Sequence, residues 1–190
     1  MCGTGIALII DGDVGLAPWD VLHQGISEHT GIPIGTVIVL VGAALLALWI
    51  PLHVRPGVGT FLNAILIGVV VDVTDPLVPD VEHPVVGTIV MLAGVLAFGV
   101  GTGLYIGSGL GPGPRDGLMT GLARRGLRIH VARTAIEVAV LVAGVLLGGS
   151  VGIGTATFAF GIGPLAQFFL PRFDMDGTYA PARTAVASPA

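Results

Sequence analysis

Two stretches of this chain repeat one pattern of residue types that could do chemistry. Residues 15–20 and residues 111–116 both read Gly-x-x-Pro-x-Asp, and each lies between apolar segments. A carboxylate inside a membrane is costly and is usually paired, so Asp20 and Asp116 are candidates for a proton, cation or substrate site. The alternative is that each carboxylate ends a helix at the membrane interface and holds backbone N–H groups there. The sequence leaves both interpretations open.

The residues around the two aspartates extend the candidate site. Trp19 and Arg115 occupy equivalent places in the two copies. Arg115 could pair with either aspartate or bind an anionic group, although an interfacial arginine without a ligand is as consistent with the pattern. His23 comes one helical turn after Asp20, where it could be a proton partner. The candidate substrate-binding or ion-binding residues are Pro18, Trp19, Asp20, His23, Pro114, Arg115 and Asp116.

Four further polar residues lie inside apolar segments and form a second group of candidates. Arg133 and Glu137 have the i,i+4 spacing that lets them pair on one helix face, as a structural ion pair or in transport. Asn63 and Gln167 could hydrogen-bond a neighbouring helix. The histidines form no ligand-spaced cluster and no nucleophile stands beside a base. The sequence therefore predicts no metal site, no cofactor and no enzymatic activity.

The composition places the chain in a membrane. Hydrophobic residues make up 53% and charged residues 11%, with a mean hydropathy of +0.93, whereas soluble domains carry about 25% charged residues. The chain has no lysine, so all eight basic residues are arginines. The single cysteine, Cys2, excludes an internal disulfide and a cysteine-based zinc site. No basic run indicates nucleic acid, so the lipid bilayer is the expected partner.

The hydropathy pattern predicts an all-α bundle of membrane helices that positions the two motifs. A short helix follows each motif, at residues 15–29 and after the second motif to about Ala123; because neither is long enough to cross, we expect both to be re-entrant. Trp49 is expected to anchor its span at the interface, and Pro164 to kink the last span. The predicted spans are residues 34–52, 57–73, 85–106, 131–147 and 153–170.

The apolar segment before the first motif is short. As a helix, residues 1–10 would extend roughly 15 Å, half of a hydrocarbon core of about 30 Å. The segment before the second motif is apolar back to Val85. We therefore expect the first helix to be truncated at the N-terminus, or Met1 to be a late start.

The chain reads as two repeats of one helical unit. A second pattern, Gly-x-Gly-Thr, occurs at residues 57–60 and again at 152–155, and Gly68 then falls on Gly163. The paired glycines are expected to permit close helix approach. The predicted organisation is a first repeat at 1–74, an acidic extracytoplasmic loop at 75–84, a second repeat at 85–171 and a disordered cytoplasmic tail at 172–190.

The arginines predict how the repeats are oriented. In the first repeat the basic loop, with Arg55, lies between the second and third spans; in the second repeat the basic segment 124–133 lies before the second span. Because arginine is enriched on the cytoplasmic side, equivalent loops lie on opposite sides of the membrane. The pattern predicts two inverted three-span repeats with both termini cytoplasmic.

Four segments carry a family resemblance, namely residues 15–25, 34–37, 55–60 and 107–117. They are similar to the bacterial YczE-like integral membrane proteins, grouped as YczE/YyaS/YitT, and the resemblance covers about residues 3–173. It implies a multi-pass protein of the bacterial plasma membrane with a complete helix before the first motif, and it brings no substrate or catalytic residues.

Inverted repeats with interrupted, Gly/Pro-bearing segments at matching positions are typical of secondary transporters. The sequence therefore favours a small permease for an unknown small molecule or ion, with its site between the two motifs. A non-transporting membrane scaffold or accessory subunit is the alternative, and an intramembrane enzyme is the least favoured interpretation. Because a bundle this small offers little room for a cavity, we also expect a homodimer.

Overall fold

The protein is helical throughout the part of the chain that the structure describes. A computed structural model describes residues 1–78, 81 and 83–175, and for residues 129 and 130 only the backbone. This range contains no strand, which confirms the predicted all-α class. The helices are α1 (Cys2–Asp11), α2 (Pro18–Thr30), α3 (Ile34–Leu52), α4 (Val58–Thr74), α5 (Pro84–Gly107), α6 (Pro114–Ala123), α7 (Ile129–Leu146) and α8 (Ile153–Phe173), with a 3-10 turn at Asp75–Leu77 after α4.

Four of these helices are long and apolar enough to cross a membrane. Within the described residues they are Ile34–Leu52, Val58–Leu77, Pro84–Gly107 and Ile153–Phe173. Their outward faces carry large apolar side chains, and Ile50, for example, is 77% exposed. Such a surface is stable against lipid rather than water. α1 is apolar too but has only 10 residues, as the sequence predicts.

The centre of the bundle is the contact between α1 and α5. A Cβ added to Gly5 would lie 2.7 Å from the carbonyl oxygen of Gly94, and one added to Gly12 would lie 2.8 Å from that of Gly87. Residue numbers thus rise along α1 as they fall along α5, so the two helices are antiparallel. Only glycine permits this backbone approach.

The two short helices each pack on the other half of the chain. α2 lies against α7, and α6 lies against α3. A Cβ on Gly25 would lie 2.7 Å from the Cβ of Leu147, and one on Gly121 would lie 3.1 Å from the Cβ of Leu52. Gly25 and Gly121 follow their motif aspartates by the same interval, so one contact occurs twice.

The helices that follow the motif helices differ in how they pack on the last helix of their half. α3 packs closely on α4 at Gly35 and Gly68, where a Cβ on Gly35 would lie 2.0 Å from the carbonyl oxygen of Gly68. Asp72 adds a side-chain contact, since it accepts from Gly35 N at 2.6 Å and from Thr36 Oγ1 at 2.8 Å. α7 and α8 hardly touch, and α8 packs on α5 instead. The expected close approach at Gly163 is wrong, because a Cβ there meets nothing within 4 Å.

Two predicted boundaries change. α8 continues to Phe173, so residues 172 and 173 belong to the helix and not to the predicted tail; residues 176–190 lie outside the described residues. The acidic 75–84 loop begins with the 3-10 turn, while residues 79, 80 and 82 lie outside the description. Pro164 lies within α8, which continues past it.

Candidate functional site

Each motif turns the chain into a short helix in the same way. Gly15 has φ +108° and Gly111 has φ +117°, a region that favours glycine because other residues have a Cβ. Pro18 and Pro114 then begin α2 and α6, at the position where the missing proline N–H costs no hydrogen bond. The glycine and the proline of the pattern therefore have a structural role, since they form the turn and the helix start that position the aspartate.

Each Gly-x-Gly-Thr pattern holds the turn that precedes the opposite motif. Gly154 N donates to Val14 O at 2.7 Å, and Gly59 N donates to Leu110 O at 2.9 Å. Thr60 is fully buried and donates from Oγ1 to the motif carbonyl of Pro112 at 2.7 Å. Neither motif is therefore positioned by its own half alone.

The two motifs meet in a buried charge cluster. Asp20 Oδ1 lies 3.5 Å from an Nη2 of Arg115, which belongs to the other motif. The same oxygen lies 3.2 Å from Nδ1 of His23. Asp20 and His23 are each 1% exposed, whereas Arg115 keeps 25% exposure. The N-cap residues of α2 and α6, Ala17 and Gly113, make no side-chain hydrogen bond, and the contacts that Asp20 and Asp116 make in the described residues are to other side chains.

Arg115 also lies against the indole of Trp19. The guanidinium carbon is 5.1 Å from the ring centroid, a cation–π distance. Trp19 Nε1 is buried and has no hydrogen-bond partner among the described residues. A buried N–H without a partner costs free energy, so the protein itself does not compensate the burial of this donor within the described residues.

The second aspartate has a different partner. Asp116 Oδ2 accepts a hydrogen bond from the hydroxyl of Tyr105 on α5. Asn63 lies close by, because a Cβ on Gly113 would be 3.1 Å from its Oδ1. Tyr105 was not among the candidates from the sequence, since a tyrosine near a span end reads as an interfacial residue.

Trp49 corrects another expectation. It is 1% exposed and donates from Nε1 to the carbonyl oxygen of Pro114 at 3.0 Å. Its ring fills the space that Gly117 leaves open, where a Cβ would lie 1.8 Å from Cζ2. The interpretation as an interfacial anchor is wrong; Trp49 supports the second motif from α3.

A cavity of about 200 Å³ joins these groups. Both motif prolines, Trp19, His23, Arg115, Asp116 and Asn63 line it, as do Ile6, Ile38, Leu45, Ile67, Phe98, Met119, Phe158 and Ile162. Arg133 and Glu137 also line it and are paired at 2.9 Å, with 53% and 31% exposure. Gln167 does not line it and is exposed on α8. All the candidates except Gln167 and Asp20 thus line one cavity. Asp20 does not line it but contacts Arg115 and His23, which do.

The acidic and histidine side chains do not form a metal site in the described part of the chain, where no group of three or more His, Cys, Asp or Glu could hold an ion. The chemistry available is hydrogen bonding and charge pairing among Asp20, His23 and Arg115.

Comparison with known proteins agrees with the membrane assignment. A family model described as a family of unknown function, DUF6198, matches residues 1–171. The chain is 43% identical to an uncharacterized protein of Haemophilus influenzae over 169 residues, 88% of this chain and 78% of that protein. It is 34% identical to the uncharacterized membrane protein YczE of Bacillus subtilis, over 96% of this chain and 86% of YczE, and 26% identical to YyaS of the same organism, over 88% and 86%. No solved structure gives a significant match.

Proposed function

Since this chain belongs to the DUF6198 family and is an integral membrane protein, we propose that it is a small secondary transporter with its site between the two motifs. The observation that carries the proposal is the contact of Asp20 with Arg115. Two motifs from opposite halves contribute opposite charges to one buried cluster on the wall of a cavity. Buried charges in a membrane bundle commonly mark solute and ion pathways.

The packing supports an inverted repeat. α1 and α5 precede the two motifs and are therefore equivalent, yet they run antiparallel. If α5 crosses the membrane, the operation that exchanges the two halves reverses direction across the bilayer. The Gly-x-Gly-Thr contacts fit the same operation, because each half holds the motif of the other. Broken helices that meet between inverted repeats are where such transporters bind their solutes.

The arginines then orient the molecule in a bacterial plasma membrane. Arg55 and the loop after α6 lie on the cytoplasmic side, with both termini, and the 75–84 loop lies outside. In this arrangement α1 and α7 join the four long apolar helices to give six spans. The motif helices α2 and α6 each enter and leave the membrane on one face. The proposal involves no chemical conversion of the solute, and the expected homodimer stays a prediction.

Uptake into proteoliposomes tests the proposal. Vesicles with an imposed proton gradient would be incubated with an equimolar panel of sugars, amino acids, amines, carboxylates and inorganic ions, and the retained solutes measured by mass spectrometry and ion chromatography. We expect at least one solute to accumulate above protein-free vesicles. Equal retention with and without protein across the whole panel would overturn the proposal.

A matched pair of substitutions ties uptake to the site. Asp20→Asn removes the buried charge, whereas Asp13→Asn makes the same chemical change at an exposed position with φ +45°, which asparagine tolerates. We expect Asp20→Asn to abolish proton-driven uptake and Asp13→Asn to leave it unchanged. If Asp20→Asn instead lowers the amount of folded protein while the remainder transports normally, the cluster only holds the bundle together, as in the scaffold alternative.

A further inference from the structure

The cavity wall carries an arginine whose hydrogen-bonding capacity the protein leaves partly unused. Beside it lies Trp19, which is 6% exposed and whose Nε1 is buried without a partner among the described residues. Arg115 is 25% exposed and offers more N–H groups than its single contact with Asp20 uses. The N-termini of α2 and α6, which begin at Pro18 and Pro114, line the same cavity and favour negative charge.

From these observations we infer that the site takes a small organic anion with a compact apolar body, bound through its carboxylate or equivalent group by Arg115. The inference rests on the proposed transport function and names its substrate class. A planar guanidinium matches a carboxylate with two parallel hydrogen bonds. The apolar walls, among them Ile38, Phe98 and Ile162, suit the rest of the solute, and a cavity of about 200 Å³ limits it to a compact molecule.

Asp20 makes the binding of this anion depend on a proton. Arg115 lies 3.5 Å from Asp20 Oδ1, and the same oxygen also contacts His23. An anion that binds Arg115 competes with Asp20 for the guanidinium. When the Asp20–His23 pair takes up a proton, Arg115 loses its internal counter-charge and becomes available. The anion and the proton therefore bind together, and both would cross in one cycle.

Other ionisable groups line the same cavity as Arg115 and His23. From α6 and α5 come Asp116 and Tyr105, which are bound to each other. From α7 come Arg133 and Glu137, which are paired at 2.9 Å. Arg133 and Glu137 neutralise each other, whereas Asp116 accepts a hydrogen bond from Tyr105 and has no contact with Arg115 among the ion pairs of the described residues. Asp20 is the carboxylate that contacts Arg115, so it is the one with which an anion would compete.

Three isosteric probes test the charge of the solute. Benzoate, benzamide and benzamidine share a ring and differ in formal charge, so calorimetric titration of the protein in nanodiscs compares charge at constant shape. We expect benzoate to bind at least about tenfold more tightly than benzamide, and benzamidine to bind most weakly. Benzamidine binding as tightly as benzoate would overturn the inference. Chloride and phosphate are titrated in the same way, because they are anions without an apolar part. If either binds more tightly than benzoate, the inference that the solute has an apolar body is overturned.

The proton is measured in the same titration by repeating it in buffers of different ionisation enthalpy. We expect uptake of about one proton per benzoate at neutral pH. Asp20→Asn mimics the protonated carboxyl, so this variant should keep benzoate binding while losing proton uptake, an outcome that misfolding does not produce. Arg115→Gln should weaken benzoate at least about tenfold, whereas Arg124→Gln, at an exposed loop position, should not change it. Proton uptake that persists in Asp20→Asn would overturn the coupling.

This experiment separates the two proposals because it measures binding without transport. Uptake of a sugar or an amine in the vesicle panel, with no benzoate binding, would support the proposed transport function and overturn the inference that the solute is an anion. Benzoate binding with about one proton, and no uptake of any solute, would keep the anion site and overturn the transporter.

Discussion

The two halves of the molecule repeat the same motifs but close differently at their outer helices. In the first half, α3 and α4 pack backbone to backbone at Gly35 and Gly68. In the second half, α7 and α8 hardly touch, and Gly163 faces open space on the cavity wall. The backbone contacts that hold the two motif turns are the same in both halves, since Gly154 N donates to Val14 O and Gly59 N donates to Leu110 O. The difference therefore teaches that each motif turn is held in the same way whether the outer helices of its half pack closely or not.

The largest expected effect comes from adding one methyl group at the equivalent glycines. A Cβ on Gly68 would lie 2.2 Å from the carbonyl oxygen of Gly35, so Gly68→Ala should destabilise the protein by about 3 kcal/mol or more. Gly163→Ala meets nothing and should be neutral, or stabilising by up to about 1 kcal/mol because alanine favours helix. Thermal unfolding in detergent measures both. Equal losses at the two positions would mean that the halves close alike.

The next effect concerns the polar residue one turn further along. Asp72 in α4 and Gln167 in α8 both come 15 residues after the first glycine of Gly-x-Gly-Thr. Asp72 accepts from Gly35 N and Thr36 Oγ1, so Asp72→Ala should cost about 2 kcal/mol in the free energy of unfolding. Gln167 is exposed, and Gln167→Ala should change stability by less than about 0.5 kcal/mol. A loss at Gln167 as large as that at Asp72 would contradict the open second half.

The smallest effect compares the two tryptophans of the chain. Trp49→Phe keeps a ring against Gly117 but removes the hydrogen bond to Pro114 O, and should cost about 1 kcal/mol. Trp19→Phe removes a buried N–H that has no partner in the described residues, so it should cost less or even stabilise. Unfolding monitored by circular dichroism measures the difference. The account is contradicted if Trp19→Phe is the more damaging change.

Much of this architecture could be predicted from the sequence because the motif is repeated. Two copies of Gly-x-x-Pro-x-Asp located both short helices, and Pro18 marked where the first begins. The i,i+4 spacing of Arg133 and Glu137 predicted their pairing, which the structure confirms at 2.9 Å. Local pattern was sufficient for these features because they involve residues close in the chain.

The partners across the bundle could not be predicted in the same way. Nothing near Asp116 indicates that Tyr105 approaches it from α5, and nothing near Trp49 indicates that Pro114 lies against it. These contacts depend on how tightly the glycines let whole helices approach. For the same reason Gly68 and Gly163 look alike in the sequence, yet one is packed and the other is open.

The most direct test of the central claim is which side of the membrane each motif turn faces. Asp13 and Leu110 lie in the turns before the two motifs and are both exposed. Single cysteines at these positions, in a Cys2→Ser background, would be labelled with a membrane-impermeant maleimide in intact cells and in inverted vesicles. The account predicts that Asp13→Cys is labelled from outside and Leu110→Cys from the cytoplasm. Labelling of both from the same side would contradict the inverted arrangement of the two motifs.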